Sequence, residues 1–212
     1  MKEVAHFFDT YAVSFNAIYG QKNNPLINLA NNILRKSMKL RFIKTIGGCN
    51  PVQGKKIIDI GCGTGLYAVA LAKKGAKYIY GIDFAPKMIE LAKRNSKDSN
   101  VDAICKFEQA DFLNNTIIDT FDYSIIMGFM DYVPEPKVVI RKVISLTKSK
   151  AFFSFPASGG ILAWQRRMRY LNRCDLFFYN KEQIMNIFKD FNFKKMTIEK
   201  IHRDFFVTVY LQ

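Results

Sequence analysis

The chain has 212 residues, 49% of them hydrophobic and 14% aromatic, which is enough to bury one substantial core and too little for two full domains. Met1–Thr10 carries Lys2, Glu3 and Asp9 in place of a secretory apolar segment, and no later apolar run reaches the ~18–20 residues of a membrane span, so a soluble cytoplasmic protein is expected. The formal net charge is +14, unevenly spread: residues 1–55 hold eight Lys/Arg against two Asp/Glu, residues 56–150 fourteen against eleven, and residues 151–212 ten against five. Basic flanks around a nearly balanced middle suit an anionic partner, with a solvated lysine-rich surface as the alternative reading. Cys49, Cys62, Cys105 and Cys174 form no C-x-x-C, which argues against a zinc site or a disulfide framework and for reduced thiols.

Lys56–Ile60 reads as a short apolar strand running into glycines, and Leu66–Lys74 as a helix stopped by Gly75. Tyr78–Ile82 is a second strand ending in Asp83. Pro86 opens the next helix, where its missing N–H costs nothing, and Met88, Leu91 and Ala92 give that helix an apolar face. Ala103–Glu108 reads as a third strand and Phe121–Met127 as a fourth, apolar on both faces as a central parallel strand requires. Helix Pro136–Leu146, strand Ala151–Phe155, helix Lys181–Phe191 and a strand pair, Phe193–Ile201 and Phe205–Leu211, complete the series. Strand and helix alternate, which predicts a doubly wound α/β sheet.

Such sheets bind ligands beyond the carboxyl ends of their strands, where the strand order reverses. Here those ends carry Asp59 just before Gly61, Asp83 after the second strand, Asp111 after the third and Gly128 after the fourth. The glycines, Gly61, Gly63 and Gly65, are spaced G-x-G-x-G and not in the G-x-G-x-x-G of a dinucleotide fingerprint, and a carboxylate beside them disfavours a pyrophosphate. A carboxylate at Asp83 can accept both hydroxyls of a ribose, and Asp111 an adenine amino group, with Phe84 or Phe112 packing on the ring. A nucleoside bearing an amino-acid tail and a sulfonium satisfies these groups together.

The segments D-I-G-C-G-T-G, G-I-D-F-A-P-K-M-I-E-L-A, Q-A-D-F and F-D-Y-S-I-I-M-G-F-M-D-Y-V resemble, in order and spacing over about residues 56–155, the successive motifs of class I S-adenosylmethionine-dependent methyltransferases. The resemblance implies a Rossmann-like methyltransferase fold: a seven-stranded, mostly parallel sheet with an antiparallel C-terminal strand and a helical cap. It implies S-adenosyl-L-methionine as cofactor, S-adenosyl-L-homocysteine as product and no metal. Gly61, Gly63 and Gly65 would admit the methionine part, Met127 and Gly128 would flank the cofactor, and Asp131 or Tyr132 would act as base or substrate contact where related enzymes place a histidine or an acid. For Asp131 a turn-capping acid is the other reading, and His202 is read as a surface turn residue.

One domain over residues 1–212 is expected, divided into lid helices (1–50), a cofactor core (51–155), a substrate-cap insert (156–180) and a C-terminal helix with a strand pair (181–212). The early segment F-F-D-T-Y-A-V-S-F-N-A-I-Y resembles the lid helix of small-molecule methyltransferases, which makes Tyr11 and Tyr19 candidates to approach the cofactor; an aromatic face packed on the sheet is the plainer reading. Arg41 stands before Gly61 much as an arginine does in ubiquinone-pathway O-methyltransferases and would pair the cofactor carboxylate. In the insert, Arg166, Arg169 and Arg173 share a helical face near Trp164, able to grip substrate carboxylates or phosphates, or simply solvated. That segment resembles magnesium-protoporphyrin O-methyltransferases. A small anionic or partly apolar metabolite is therefore the expected acceptor at oxygen or nitrogen. An RNA or DNA methyltransferase is the alternative raised by the charge, although the [DNS]-P-P-[YFW] signature of base-amino methylation is missing; a noncatalytic scaffold fits the intact cofactor motifs less well.

Overall fold

A computed structural model describes residues 25–160, 168 and 175–212. In chain order these form α1 (Pro25–Gly48), β1 (Lys56–Ile60), α2 (Leu66–Ala72), β2 (Tyr78–Asp83), α3 (Pro86–Asp98), β3 (Cys105–Gln109) and β4 (Phe121–Ile126). A 3₁₀ turn (Met130–Tyr132), α4 (Pro136–Leu146), β5 (Thr147–Pro156), α5 (Lys181–Phe188), β6 (Lys195–Ile201) and β7 (Asp204–Tyr210) follow. The strands make one seven-stranded sheet in the order β3-β2-β1-β4-β5-β7-β6. β1 through β5 pair in parallel, while β7 runs antiparallel to both of its neighbours. The order reverses between β1 and β4, so the carboxyl ends of those two strands form the crevice.

The sheet is covered on both faces, and the side-chain alternation of each strand divides its residues between them. Ile58 and Ile60 of β1 join Phe121, Ile126, Phe153, Phe155, Val139, Val143 and Phe188 in one core, against α4 and α5. Ile57 joins Ala68, Leu71, Ile79, Ile125, Phe152 and Phe206 in the other, against α1 and α2. Each such aliphatic or aromatic side chain contributes roughly 1.5–3 kcal/mol of burial, which is why five-residue strands such as β1 hold their register in the middle of the sheet. In α3, Pro86 sits in the first turn, and Met88, Ile89, Ala92 and Ser96 are buried at helical spacing. α5 opens on a reciprocal capping box between Asn180 and Gln183.

Boundaries differ from the sequence expectation where tertiary pairing overrides local pattern. β5 begins at Thr147, not Ala151, because α4 runs straight into it: Thr147 Oγ1 bonds back to the Val143 carbonyl at 2.6 Å and meets Ser124 Oγ at 2.6 Å, and Thr147 already pairs with Phe121. β3 starts at Cys105, not Ala103, since the amides of Ile104 and Cys105 are turned onto the Val101 carbonyl. α5 ends at Phe188, three residues short of Phe191, and Phe191 turns back onto Phe188. No helix among the described residues is long and apolar enough to cross a membrane.

Candidate cofactor and acceptor site

The glycine turn between β1 and α2 is built almost wholly from backbone bonds to β2. The amides of Gly61 and Cys62 both donate to the Ile82 carbonyl, at 2.8 and 3.1 Å, and the Gly63 amide donates to Asp83 Oδ2 at 2.9 Å. Gly61, Gly63 and Gly65 all have positive φ, at 71°, 52° and 76°. The space around them differs. A Cβ on Gly61 would stand 2.8 Å from the Phe129 ring and one on Gly65 3.0 Å from the Phe107 ring, whereas one on Gly63 would meet nothing within 4 Å. Gly61 and Gly65 are therefore required by close packing below the turn, and Gly63 by its left-handed backbone over open space. α3 braces the turn from the side, Asn95 Nδ2 donating to the Thr64 carbonyl at 2.9 Å.

Two acids lie at this edge. Asp83 accepts from Gly63 with one oxygen and from the Ala85 amide at 3.0 Å with the other, so it joins the end of β2 to the glycine turn. Asp59 is 1% exposed, and its Oδ2 has no hydrogen-bond partner. Burial first and the Asp83 charge second push the Asp59 carboxyl up to about 8, against the Ala68 amide, which acts to lower it. This edge favours a cationic ligand group and opposes an anionic one. Cys62, the residue between the first two glycines, is buried, and burial pushes its thiol well above the ordinary range, so it is a small filler with no nucleophilic character.

At the end of β3, residues 111–115 form a knotted turn. Asp111 Oδ1 accepts from the Leu113 amide at 3.0 Å and Oδ2 from Asn114 Nδ2 at 2.8 Å, while Asn115 Nδ2 bonds Glu108 and the Tyr80 hydroxyl. Asp111 is half-buried. The two aromatic candidates separate here: Phe112 is buried in the core with its ring edge-on to Phe129, and Phe84 is half-exposed beside Asp83.

The end of β4 is held by residues far apart in the chain. Gly128, at φ 70°, donates its amide to Ser154 Oγ of β5 at 2.7 Å. Arg41 Nη1 of α1 donates to the same hydroxyl at 3.2 Å and would lie 3.3 Å from a Cβ on Gly128. Arg41 Nε stands 3.6 Å from Asp204 Oδ2, an ion-pair distance longer than a hydrogen bond, and both side chains are buried. Met127 is half-buried at the crevice, Asp131 is buried in the 3₁₀ turn, and Tyr132 beside it is half-buried. The Asp131 carbonyl accepts the Phe177 amide at 2.9 Å, which ties the far end of the insert to the β4 loop. His202 lies in the expected β6–β7 turn, half-buried with φ 56°, where the Arg203 amide reaches Ser37 Oγ and the Arg203 carbonyl accepts from Ala157.

Asp59, Gly61, Gly63, Gly65, Asp83, Phe84, Asp111, Phe112, Met127, Gly128, Asp131 and Tyr132 thus all lie at the carboxyl edge of β1–β5 or in the turns that leave it, and Arg41 reaches that edge from α1 through Ser154. Tyr11, Tyr19, Trp164, Arg166, Arg169 and Arg173 lie outside the described residues. Ser154 and Asp204 were not singled out from sequence, although a signal existed for each: a lone hydroxyl in the apolar run A-F-F-S-F-P, and an acid opening F-F-V-T-V.

A family model described as a methyltransferase domain matches residues 51–192, from the turn before β1 to the end of the α5 region. The chain belongs to this methyltransferase-domain family, of the class I S-adenosylmethionine-dependent kind. The ubiquinone biosynthesis O-methyltransferase of Neisseria meningitidis serogroup C (strain 053442) is 33% identical over 113 residues, 51% of this chain and 47% of that protein. The one of Chromobacterium violaceum is 32% identical over 104 residues, 49% and 44% of the two chains. The chain thus spans about half the length of the curated relatives it matches. Among solved structures, magnesium protoporphyrin IX methyltransferase from Synechocystis PCC 6803 with bound SAH superposes with a TM-score of 0.78 at 17% identity, covering 99% of this chain and 98% of that one. At that identity the likeness is one of fold, and it extends to all seven strands of this methyltransferase domain.

Proposed function

We propose that the chain transfers the methyl group of S-adenosylmethionine to an oxygen or nitrogen of a small, anionic or partly apolar metabolite. The observation that carries this reading is the partnerless Asp59 oxygen buried beneath an open glycine turn that Asp83 holds in place. A cationic cofactor answers the acid surplus there, and a nucleoside answers Asp83 and Asp111 at successive strand ends. The names of relatives support the acceptor class: one group acts in ubiquinone biosynthesis and the superposed structure on magnesium protoporphyrin.

In this reading Asp59 faces the amino end of the methionine part, and Arg41, beside Gly128, its carboxylate. Asp83 accepts the ribose hydroxyls, Asp111 accepts the adenine amino group, the half-exposed Phe84 packs on the ring with Phe112 in the core behind the turn, and Met127 with Gly128 line the opposite wall. The bound cofactor supplies a methyl carbon activated by its sulfonium, so alignment of the acceptor carries much of the acceleration. Asp131 takes the proton of a hydroxyl acceptor or orients it, with Tyr132 alongside.

Calorimetric titration with S-adenosylmethionine, S-adenosylhomocysteine and NAD tests the donor, and transfer of labelled methyl from the donor tests the acceptor, using phenolic and carboxylate metabolites in one arm and RNA or DNA in the other. Selective binding of the adenosyl ligands and label on the small molecules are expected. Preference for NAD overturns the donor assignment, and salt-sensitive labelling of nucleic acid alone overturns the acceptor class.

A further inference from the structure

The turn after β3 carries a feature that no part of the cofactor assignment uses. The carbonyls of Phe112, Leu113 and Asn115 all point to one spot, and the ammonium of Lys142 from α4 occupies it, with Nζ at 2.5, 3.2 and 2.5 Å from the three oxygens. An ammonium has three donors, so the match to three carbonyls is complete. The same Nζ lies 4.8 Å from the centroid of the Phe112 ring. Asp111 adds its charge to the same neighbourhood.

Three converging carbonyls make a concentrated negative potential on one side of a five-residue turn. Without a cation there, the carbonyl dipoles repel and the turn has reason to open. The Asx bonds of Asp111 and the bonds of Asn115 close the turn from within and from β2–β3, but neither neutralises those oxygens. α4 supplies that cation through Lys142.

We infer that Lys142 is a positioning residue that acts as a tethered monovalent cation, holding the Asp111–Asn115 turn in the shape that receives the adenine end of the cofactor. The inference rests on the assignment of Asp111 to adenine. Its consequence is specific: Lys142→Ala leaves an empty carbonyl cage of ammonium size, which methylammonium or potassium ions can refill. Lys142→Met fills the stem volume without charge and leaves no room for an ion.

The test is calorimetric binding of S-adenosylhomocysteine to the full chain and to Lys142→Ala, Lys142→Met and Asp111→Ala, in sodium-free buffer with and without added methylammonium or potassium chloride, a tetramethylammonium salt keeping ionic strength constant. Lys142→Ala is expected to weaken binding roughly tenfold to a hundredfold, the range for losing charged hydrogen bonds, with recovery of most of that loss in methylammonium or potassium. Lys142→Met is expected to show the same weakening and no recovery. Thermal melting of each variant separates the effect from misfolding. Unchanged affinity in Lys142→Ala while Asp111→Ala is weakened overturns the role of Lys142 alone, as does a loss in Lys142→Ala that neither ion repairs. Unchanged affinity in Asp111→Ala overturns the adenine assignment and this inference with it.

Discussion

The two walls of the crevice are built in opposite ways. The β1–β2 wall is local: residues 59–65 and 83–85 make it, its bonds are mostly backbone amides, and the charge of Asp83 acts on Asp59. The β4–β5 wall joins Arg41, Gly128, Ser154 and Asp204, which come from α1, the end of β4, β5 and β7, and it balances one buried cation with one buried anion. The first wall sets two acids together with no basic side chain among residues 59–65 and 83–85, so Asp59 keeps a proton that a cation can displace, and the second is nearly self-compensated. A zwitterionic methionine tail spanning the crevice would therefore gain most at the first wall and depend on the second chiefly for shape.

That contrast predicts different responses to pH, and the largest effect is expected there. Asp59 titrates near 3.8 when unfolded and near 8 in the fold, so between those values the folded chain keeps a proton that the unfolded chain has lost. A raised acid contributes stability at low pH that is lost as pH climbs toward 8; the slope is up to ~1.4 kcal/mol per pH unit for one proton. Urea unfolding of the ligand-free protein should weaken from pH 5 to pH 8, and Asp59→Asn, which mimics the protonated form, should flatten that trend. Binding of a cationic cofactor at pH 7 should also release a proton, read as a dependence of calorimetric enthalpy on buffer ionisation enthalpy. Equal slopes in the two proteins would remove the acid surplus from the first wall. The second wall should show its strength in stability at constant pH. Arg41→Met removes the buried guanidinium that stands 3.6 Å from Asp204 Oδ2, and loss of one partner of such a pair costs about 3–5 kcal/mol. A denaturation midpoint within error of the parent would show that the pair is not desolvated as the structure describes.

Asp83→Ala comes next, and it reads the first wall through affinity. It removes the acceptor of the Gly63 amide and the proposed ribose contact together, for about 1.5–3 kcal/mol or a tenfold to hundredfold loss in cofactor affinity. Because the Gly63 bond is structural, Asp83→Asn should restore part of the loss, its carbonyl oxygen still able to accept that amide. Affinity in Asp83→Ala equal to the parent would sink the nucleoside assignment at this wall.

The same division explains what was legible in the sequence. The β1–β2 wall could be read because each of its parts is adjacent in sequence to a strand end, and glycine at positive φ and proline at a helix start leave marks in the residue string. Alternation predicts the doubly wound sheet, and the seven strands with an antiparallel last strand are what the resemblance to class I methyltransferases implies; the sheet has both. The β4–β5 wall could not be read in full. Ser154 is one hydroxyl in a greasy strand, and nothing local says that it meets an amide 26 residues away and a guanidinium 113 residues away. Asp204 has no local mark beyond its place at the head of an apolar run, and it is 1% exposed. Lys142 is one of two lysines in the helix Pro136–Leu146, and only the folded turn gathers three carbonyls against it. Strand starts were misplaced for the same reason: pairing partners, not propensity, extend β5 back to Thr147.

The smallest predicted effect is also the one that tests whether the second wall acts as a unit. Ser154→Ala deletes a hydroxyl that receives both the Gly128 amide and Arg41 Nη1, and the site is too buried for water to replace it freely. Leaving buried donors unsatisfied costs about 1–3 kcal/mol of stability. If Ser154 transmits the Arg41–Asp204 pair to the Gly128 turn, adding Asp204→Asn to Ser154→Ala should give less than the sum of the single losses, by about 0.5–3 kcal/mol in a double-mutant cycle. The turn itself should loosen, raising the cofactor KM of Ser154→Ala while kcat at saturating donor stays within about twofold, since the hydroxyl lies behind the wall and touches no reacting atom. Strict additivity together with an unmoved KM would reduce the second wall to separate packing contacts, and the contrast with the first wall would then be one of sequence distance alone.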